Sequence, residues 1–306
     1  MSGTTQSIQG FGRPMSTSTP QRPPWRFNLQ GSDTTWAIAF LIPYIAVFLA
    51  FVVYPIAFGL WMGRDPALYS RLFSDPLFPT IVFNTLMFAA IGVNVTMFLG
   101  FLLSGYFMNP SWWIKALLAI FLLPWALPAL TAFLSIHYMT VTEYGFLDSL
   151  WRAVTGEDGP LFLVDRWLAA TVIILSYIWK WLPFWTLIFI AGRMAIPQDI
   201  YEAAEIDGAT GWRRLVHVTL PLLSNVYLVS TLLFTIWTIG DFNTVYFVSY
   251  GAPARLTDVL ATYGFHQAFD FNYPDLGNAA MISALPVLIP LVLLLMRRIR
   301  KSGVQL

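Results

Sequence analysis

Residues 202–223 read EAAEIDGATGWRRLVHVTLPLL, a polar run between two strongly apolar segments. Its first half carries acidic and small residues and ends at a glycine. In its second half, apolar residues recur at the i, i+3, i+4 spacing of an amphipathic helix. A loop that only connects two elements needs neither feature. We therefore expect two short helical turns between membrane helices, to which a partner protein can bind. A helix pair that only connects the two membrane helices fits the same pattern.

Composition places the chain among integral membrane proteins. Hydrophobic residues make up 57% of the 306 residues and charged residues 11%, and the mean hydropathy is +0.65. These values are too apolar for a soluble domain. The net charge of +1 gives no indication of a nucleic-acid partner. The absence of cysteine excludes disulfides, thiolate metal sites and cysteine nucleophiles.

Six segments are long and apolar enough to cross a bilayer, which takes roughly 20 residues. They are residues 36–62, 81–107, 112–139, 166–192, 222–248 and 277–296. The predicted fold is therefore an all-α, polytopic membrane protein. We expect a flexible tail at 1–33, a six-helix membrane domain at 34–298 with its polar loop at about 193–221, and a short tail at 299–306. Prolines inside several segments predict bent helices.

The distribution of Lys and Arg predicts the orientation. With the N-terminus in the cytoplasm, the inside regions hold 11 of these residues and the outside loops hold 5. Cytoplasmic loops of membrane proteins carry such an excess. Both termini and the loop at 193–221 are therefore expected in the cytoplasm.

The loop has recognisable start and turn signals. Asp199 followed by Glu202 resembles a capping box, and it predicts a helix that starts at about Ile200. Gly208 is a natural turn residue, and Thr210 can cap a second helical turn. Pro221 is expected to end that turn and to open the fifth spanning helix. Small residues line one side of the first helix and would allow close approach of a partner: Ala203, Ala204, Gly208 and Ala209.

The loop is similar to the signature loop of permeases of binding-protein-dependent ABC importers. The motif E-A-A-x-x-D-G-A followed by L-P is matched at Glu202, Ala203, Ala204, Asp207, Gly208, Ala209, Leu220 and Pro221. Further stretches resemble the carbohydrate branch of that family, among them Trp179-Lys180-x-x-Pro183-Phe184 and Ser249-Tyr250-Gly251-Ala252-Pro253. The resemblance implies the type I ABC importer permease fold, and it implies that the loop is a coupling helix seated in a cleft of an ATPase.

The resemblance also implies partners and a location. These are a second permease subunit, two cytoplasmic ATPase subunits and an extracytoplasmic sugar-binding protein, all at a bacterial cytoplasmic (inner) membrane. The sequence lacks the G-x-x-x-x-G-K-[ST] phosphate loop, so ATP and Mg²⁺ are expected on the ATPase subunits, and this chain is expected to bind no cofactor and to be no enzyme. Alternatives are a permease for a polyol, a phosphorylated polyol or another solute, and a secondary transporter.

Polar and aromatic residues within apolar segments are candidates for the substrate pathway, because such groups are expensive against lipid. Trp237, Asp241, Asn243 and Tyr246 combine rings with planar polar groups, which suits a sugar. Lys180 lies near the middle of its segment and Asn84 on the second segment. Helix packing is the alternative for these residues, except that for Lys180 the alternative is pairing with backbone carbonyls released by Pro183. The three histidines are scattered without neighbouring ligands and predict no metal site.

Overall fold

The computed structural model describes residues 33–142 and 144–301, and all regular elements among them are helical. The chain divides into two units at Pro55/Ile56. The first contains α1 (Asp33–Phe48), a π-helical turn (Leu49–Val53) and the start of α2 (Tyr54–Met62). The second continues with α3 (Pro66–Ser74), α4 (Phe78–Phe107), α5 (Trp112–Phe121), α6 (Leu123–Ala126), α7 (Ala129–Thr140), α8 (Phe146–Thr155) and α9 (Arg166–Met194). It ends with α10 (Gln198–Ile206), α11 (Gly211–Arg214), α12 (Leu220–Ile239), α13 (Asn243–Ser249), α14 (Leu260–Phe265), α15 (Pro274–Ile282) and α16 (Leu285–Lys301).

Five helical stretches in the described residues are long and apolar enough to cross a membrane, and a sixth candidate is a bent pair. The five are Trp36–Met62, Phe78–Phe107, Arg166–Met194, Gly211–Ile239 and Pro274–Leu294, and the pair is Trp112–Ala126 with Ala129–Thr140. The six predicted segments therefore reappear, with changes in the third and the fifth.

The third segment is broken instead of merely bent. Its two halves meet at 92°, with Leu127 and Pro128 both in extended backbone. Proline cannot donate a backbone hydrogen bond and disfavours helix in the residue before it. The break therefore leaves the carbonyls at the end of α6 without helical partners.

The fifth segment lies earlier in the chain than predicted. Helix α12 ends at Ile239, and a break at Gly240 separates it from the short helix α13. The prediction of one helix over 222–248 is wrong at its C-terminal end, because hydropathy stays high across the break. At its other end the span begins at Gly211, inside the polar loop.

The core of the second unit forms around α4 and α9, which pack along each other. Two glycines of α4 permit the close approach: a β-carbon at Gly92 would lie 3.1 Å from the Tyr177 ring, and one at Gly100 would lie 3.4 Å from the Thr186 nitrogen. Tyr177 in turn stacks on Phe234 of α12 at 5.3 Å. A second apolar cluster joins α3, the start of α4, α14 and α15 around Leu72, Ile81 and Tyr263.

Candidate functional site

The polar loop between α9 and α12 folds into two helical parts. The first part, α10, begins at Gln198 directly after Pro197 and has no side-chain cap. The predicted cap at Asp199 is therefore wrong; Asp199 already lies in the first turn, where a carboxylate favours the helix dipole. Gly208 has φ +74° and turns the chain, as predicted, since glycine adopts this conformation without steric cost.

The second part of the loop is an extension of a membrane helix. Thr210 occupies the cap position of α11 but makes no side-chain cap. From Gly211 the chain stays helical through a π-helical turn at Leu215–Thr219 and continues into α12. Pro221 lies in the first turn of α12, at the start of that helix as expected, but the expectation that it ends the preceding turn is wrong because the chain is helical on both sides of it. A displacement of this part of the loop therefore acts directly on the end of a spanning helix.

The tip of α10 is exposed. Glu202, Ala203, Asp207 and Gly208 all face away from the protein. The small residues do not form one exposed side, however, because Ala204 is buried and Ala209 is half-buried. The side chain of Ile206 is 87% exposed. Sequence reasoning missed Ile206; the signal was a large apolar residue between Glu205 and Asp207 with no other large apolar residue one turn away.

Arg193 fastens the start of the loop to the second span. It lies in the last turn of α9 and is buried. Its Nε donates to Ser104 Oγ at 2.7 Å and a terminal nitrogen donates to the Phe101 carbonyl at 3.1 Å. The guanidinium lies 4.9 Å from the Phe101 ring centroid. Sequence reasoning used Arg193 only as a positive charge that marks the cytoplasmic side.

Tyr201 and Arg214 extend this connection into the loop. The Tyr201 side chain interacts with the Arg193 guanidinium, and Arg214 lies over the Tyr201 ring at 5.8 Å. Arg214 also forms an ion pair with Glu205. The four side chains therefore tie both halves of the loop to α4, around a cleft of about 320 Å³ that also exposes Glu202.

Lys180 stabilises the break in the third span. It lies at the middle of α9 and is only 3% exposed. Its Nζ donates to the carbonyls of Pro124 at 2.8 Å and Trp125 at 3.2 Å, and also to that of Leu127. The alternative to a pathway role was pairing with carbonyls released by Pro183. The structure instead pairs Lys180 with carbonyls of the neighbouring broken span.

Of the four residues proposed on the fifth segment, the two aromatic ones lie in separate aromatic clusters. Trp237, in the last turn of α12, is 48% exposed and lies within about 6 Å of Trp181, Phe184 and Trp185 on α9. Tyr246, on α13, stacks on Phe242 at 4.5 Å.

Asp241 lies in the break, where its Oδ1 accepts the backbone N–H of Thr244 at 3.0 Å. This contact satisfies a donor at the start of α13. Asn243 is exposed on the same short helix. The region around the break therefore presents the Asn243 amide and the partly exposed Trp237 ring. The Asp241 carboxylate instead bonds to the backbone at the start of α13.

Asn84 holds the segment after α13. Its Nδ2 donates to the carbonyls of Leu256 and Asp258 at 2.8 and 2.9 Å, and its Oδ1 accepts from Arg166 at 3.2 Å. Asp258 itself is fully buried beside Arg255, at 3.0 Å. Burial raises the pKa of the Asp258 carboxyl, although Arg255 and His266 oppose that shift. All of the contacts of Asn84 are thus made inside the chain.

A groove opens beside the broken span. It has a volume of about 500 Å³ and runs between α7 and α9. Thr131 and Ser135 contribute hydroxyls one turn apart, while Trp179 and Leu175 contribute partly exposed apolar surface. Sequence reasoning missed the groove because the break creates it by turning α7 away from α5.

Comparison with known families decides which class of membrane protein this is. The family described as "Binding-protein-dependent transport system inner membrane component" matches residues 96–301. The chain belongs to this family. It is therefore a permease subunit of a transport system and not an enzyme. Among the described residues, no group of three or more His, Asp or Glu side chains could hold a metal ion.

Curated relatives align with most of the permease. A sulfoquinovosyl glycerol transport system permease of Agrobacterium fabrum is 30% identical over 86% of this chain and 89% of its own. A trehalose/maltose transport system permease of Thermococcus litoralis is 30% identical over 81% of this chain and 86% of its own. A lactose transport system permease of Rhizobium radiobacter is 29% identical over 83% of this chain and 90% of its own.

Solved structures show the same fold. A chain of a bacterial ABC transporter for import of the polysaccharide alginate superposes with a TM-score of 0.77 at 23% identity, covering 89% of the permease and 97% of that chain. The same kind of importer bound to its periplasmic protein gives a TM-score of 0.74 at 24% identity. The predicted ABC importer permease fold is thus confirmed.

Proposed function

We propose that this permease forms half of the pathway of an ATP-driven importer for a carbohydrate. Three of its curated relatives are permeases for a sulfoquinovosyl glycerol, trehalose or maltose, and lactose. All of these solutes are glycosides. The groove at α7 and α9 agrees with such a solute, because it combines hydroxyls with an indole ring, and a sugar offers hydroxyls and C–H faces to such groups.

The partners of the permease in this proposal are a second permease, two ATPase subunits and a binding protein outside the membrane. One of the solved importers is described in complex with a periplasmic binding protein. The sequence carries no phosphate loop, so ATP and Mg²⁺ bind on the ATPase subunits. Both termini and the loop at 193–221 face the cytoplasm, as the excess of Lys and Arg on that side indicates.

The observation that carries the proposal is the exposed tip of α10 combined with its buried attachment. Glu202 and Ile206 offer a carboxylate and an apolar side chain to a partner. Tyr201 of the same helix contacts Arg193 of α9, which bonds to α4. Movement of a docked ATPase would therefore reach the second span through Arg193 and the fifth span through α11. Motion in two spans at once can open or close a pathway between them.

Within the membrane, the substrate meets the groove and the exposed part of the fifth segment. Of the four candidates on that segment, Trp237 and Asn243 have exposed side chains. Lys180, Asn84 and Asp241 act by holding the backbone that shapes the path. Asn243→Ala is expected to reduce uptake, whereas Asn84→Ala is expected to lower stability, because it strips partners from two carbonyls.

The decisive experiment is reconstitution in proteoliposomes of the permease with its second permease, its ATPase and its binding protein. Uptake of labelled mono- and disaccharides should require ATP and all four components. Uptake driven by an ion gradient without the ATPase would refute the proposed importer. Uptake restricted to a polyol or a phosphorylated polyol would refute the carbohydrate assignment alone.

A further inference from the structure

Helix α8 presents apolar side chains outward. Phe146, Leu150, Trp151 and Val154 recur at i, i+4, i+5 and i+8, which places them on one side of a helix. They are 59%, 50%, 45% and 77% exposed, respectively. A helix in contact with water normally shows the opposite arrangement, with its polar side outward.

Buried polar contacts fix the rotation of this helix. Asp148, on the opposite side of α8, is 3% exposed and accepts the backbone N–H of Gly159 at 2.8 Å. Arg152 forms ion pairs with Asp148 at 3.1 Å and with Asp158 at 3.3 Å. A β-carbon at Gly159 would lie 2.5 Å from the Asp148 carboxylate, so glycine lets the following loop close over this polar side. The contacts hold Asp148 inward and therefore hold the apolar side outward.

The position of α8 in the chain places it at a membrane surface. It lies between α7 and α9, two parts of the membrane domain, and it packs against α7. The span α9 separates it from the loop that contains α10, so α8 lies at the opposite membrane face. At that end of α9, Trp167 is 55% exposed. The Arg166 guanidinium lies 4.9 Å from the centroid of the Trp167 ring. Tyr138 and Tyr144 are exposed close by in the chain.

Exposed Trp and Tyr rings with an adjacent Arg are typical of the boundary between lipid chains and headgroups. The apolar side of α8 continues this boundary. We propose that α8 lies in the plane of the membrane, with Phe146, Leu150, Trp151 and Val154 inserted into the lipid interface of the leaflet opposite the coupling loop.

Lipid is favoured over a protein as the occupant. An extracytoplasmic binding protein binds and dissociates in each transport cycle. If it were the occupant, the four large apolar side chains of α8 would be exposed to water whenever it is not bound. Lipid already surrounds the exposed apolar surface of the adjacent spans and is always present. The proposal depends on membrane insertion of the permease and is independent of the identity of its substrate.

A fluorescent probe can test the position of α8, because the chain contains no cysteine. Val154→Cys places the probe on the apolar side, and the matched control Thr155→Cys places it one residue further, on the polar side of the same turn. Each variant is labelled with an environment-sensitive dye in the full-length permease, both alone and assembled with its partner subunits in proteoliposomes. Lipids brominated along the acyl chain and aqueous iodide then serve as quenchers.

Insertion predicts that brominated lipid quenches the probe at 154 at least about twice as strongly as the probe at 155, since interfacial helices lie roughly 5–10 Å deep. Iodide should show the reverse preference. Equal iodide quenching at both sites, with no effect of brominated lipid, would overturn the proposal in favour of a water-exposed helix. Protection of residue 154 from both quenchers only in the assembled complex would overturn it in favour of a protein partner.

The polar contacts give a second test. Asp148→Asn removes the charge that holds Arg152, and Asp165→Asn, at the start of α9, is a matched control for loss of a loop carboxylate. Iodide quenching at residue 154 should rise in the first variant and stay unchanged in the second. No change in either variant would show that Asp148 does not fix the rotation of α8.

Discussion

Gly208 and Gly211 adopt the same left-handed backbone on either side of the turn that joins α10 to α11. Their φ angles are +74° and +54°, and no atom lies within 4 Å of the place where a β-carbon would stand. A side chain at either position therefore meets strain of about 1 kcal/mol and no clash inside the chain. The two glycines differ in place, since only Gly208 lies at the exposed tip of α10.

This difference gives the first prediction. Gly208→Ala is expected to reduce co-purification with the ATPase and ATP-driven uptake, because the added methyl group stands where the partner approaches. Gly211→Ala has the same backbone strain and should retain both. Equal losses in the two variants would trace the effect to strain in the turn and remove Gly208 from the docking surface.

Arg193 gives the second prediction at this scale. Ser104→Ala leaves the buried Nε of Arg193 without its partner, which costs roughly 1–3 kcal/mol. The expected result is less solute imported per ATP hydrolysed, with assembly intact, because Arg193, which contacts Tyr201 of α10, loses one of its two hydrogen bonds to α4. The control is Thr171→Ala, which removes an exposed hydroxyl bonded only to its own helix. If Ser104→Ala leaves the ratio of uptake to hydrolysis unchanged, force does not pass through Arg193.

Elements of the fold differ in how far the sequence predicts them. Apolar runs of sufficient length place all six spans, and Gly208 places the turn after α10. The break at Leu127 and Pro128 is harder to predict, because prolines also occur inside continuous helices here, such as Pro183 in α9. Whether a proline bends or breaks a helix depends on which side chain can satisfy the released carbonyls.

The contacts of the functional side chains likewise depend on partners that are distant in the sequence. The partner of the broken span is Lys180, more than 50 residues away in sequence, and the partner of Arg193 is Ser104, 89 residues away. No local pattern contains such pairs. The motif at 202–209 located the loop, but exposure of Ile206 and burial of Ala204 depend on how α10 packs against α11 and on the contact of Tyr201 with Arg193.

The third prediction concerns the broken span. Lys180→Met removes the donor from three carbonyls and should strongly lower thermal stability, by about 1–3 kcal/mol for each carbonyl that stays unsatisfied. Lys115→Met is the matched control, since Lys115 is exposed on α5 of the same span. The temperature at which the purified permease leaves its monodisperse peak in size-exclusion chromatography measures the effect. Similar temperatures for both variants would refute a structural role for Lys180.

At the scale of the whole molecule, the orientation in the membrane decides which partners can reach which surface. The charge count predicts α10 in the cytoplasm and α8 outside, and the single span α9 between them requires opposite sides in any case. ATPase subunits and the binding protein would then bind at opposite ends of the same helix. Arg193 and Arg166 mark those two ends of α9.

The fourth prediction tests this orientation. Single cysteines are introduced at Asp158 and at Ile206, both of which have exposed side chains. A membrane-impermeant maleimide applied to intact cells should label Asp158→Cys, and it should label Ile206→Cys only after the membrane is permeabilised. The reverse pattern would invert the topology and exclude docking of a cytoplasmic ATPase on α10.

The contact between Lys180 and the broken span also constrains how the chain is made. During synthesis the third span enters the membrane first, with carbonyls that lipid cannot satisfy. The fourth span follows with a charge at its middle, which by itself costs roughly 2.5–3.5 kcal/mol to insert. The Lys180 ammonium donates to the unsatisfied carbonyls of the third span, and these carbonyls in turn stabilise its buried charge. The two spans are therefore expected to leave the translocon together, as one helical hairpin, and cotranslational insertion of this chain would pause until residue 180 has emerged from the ribosome.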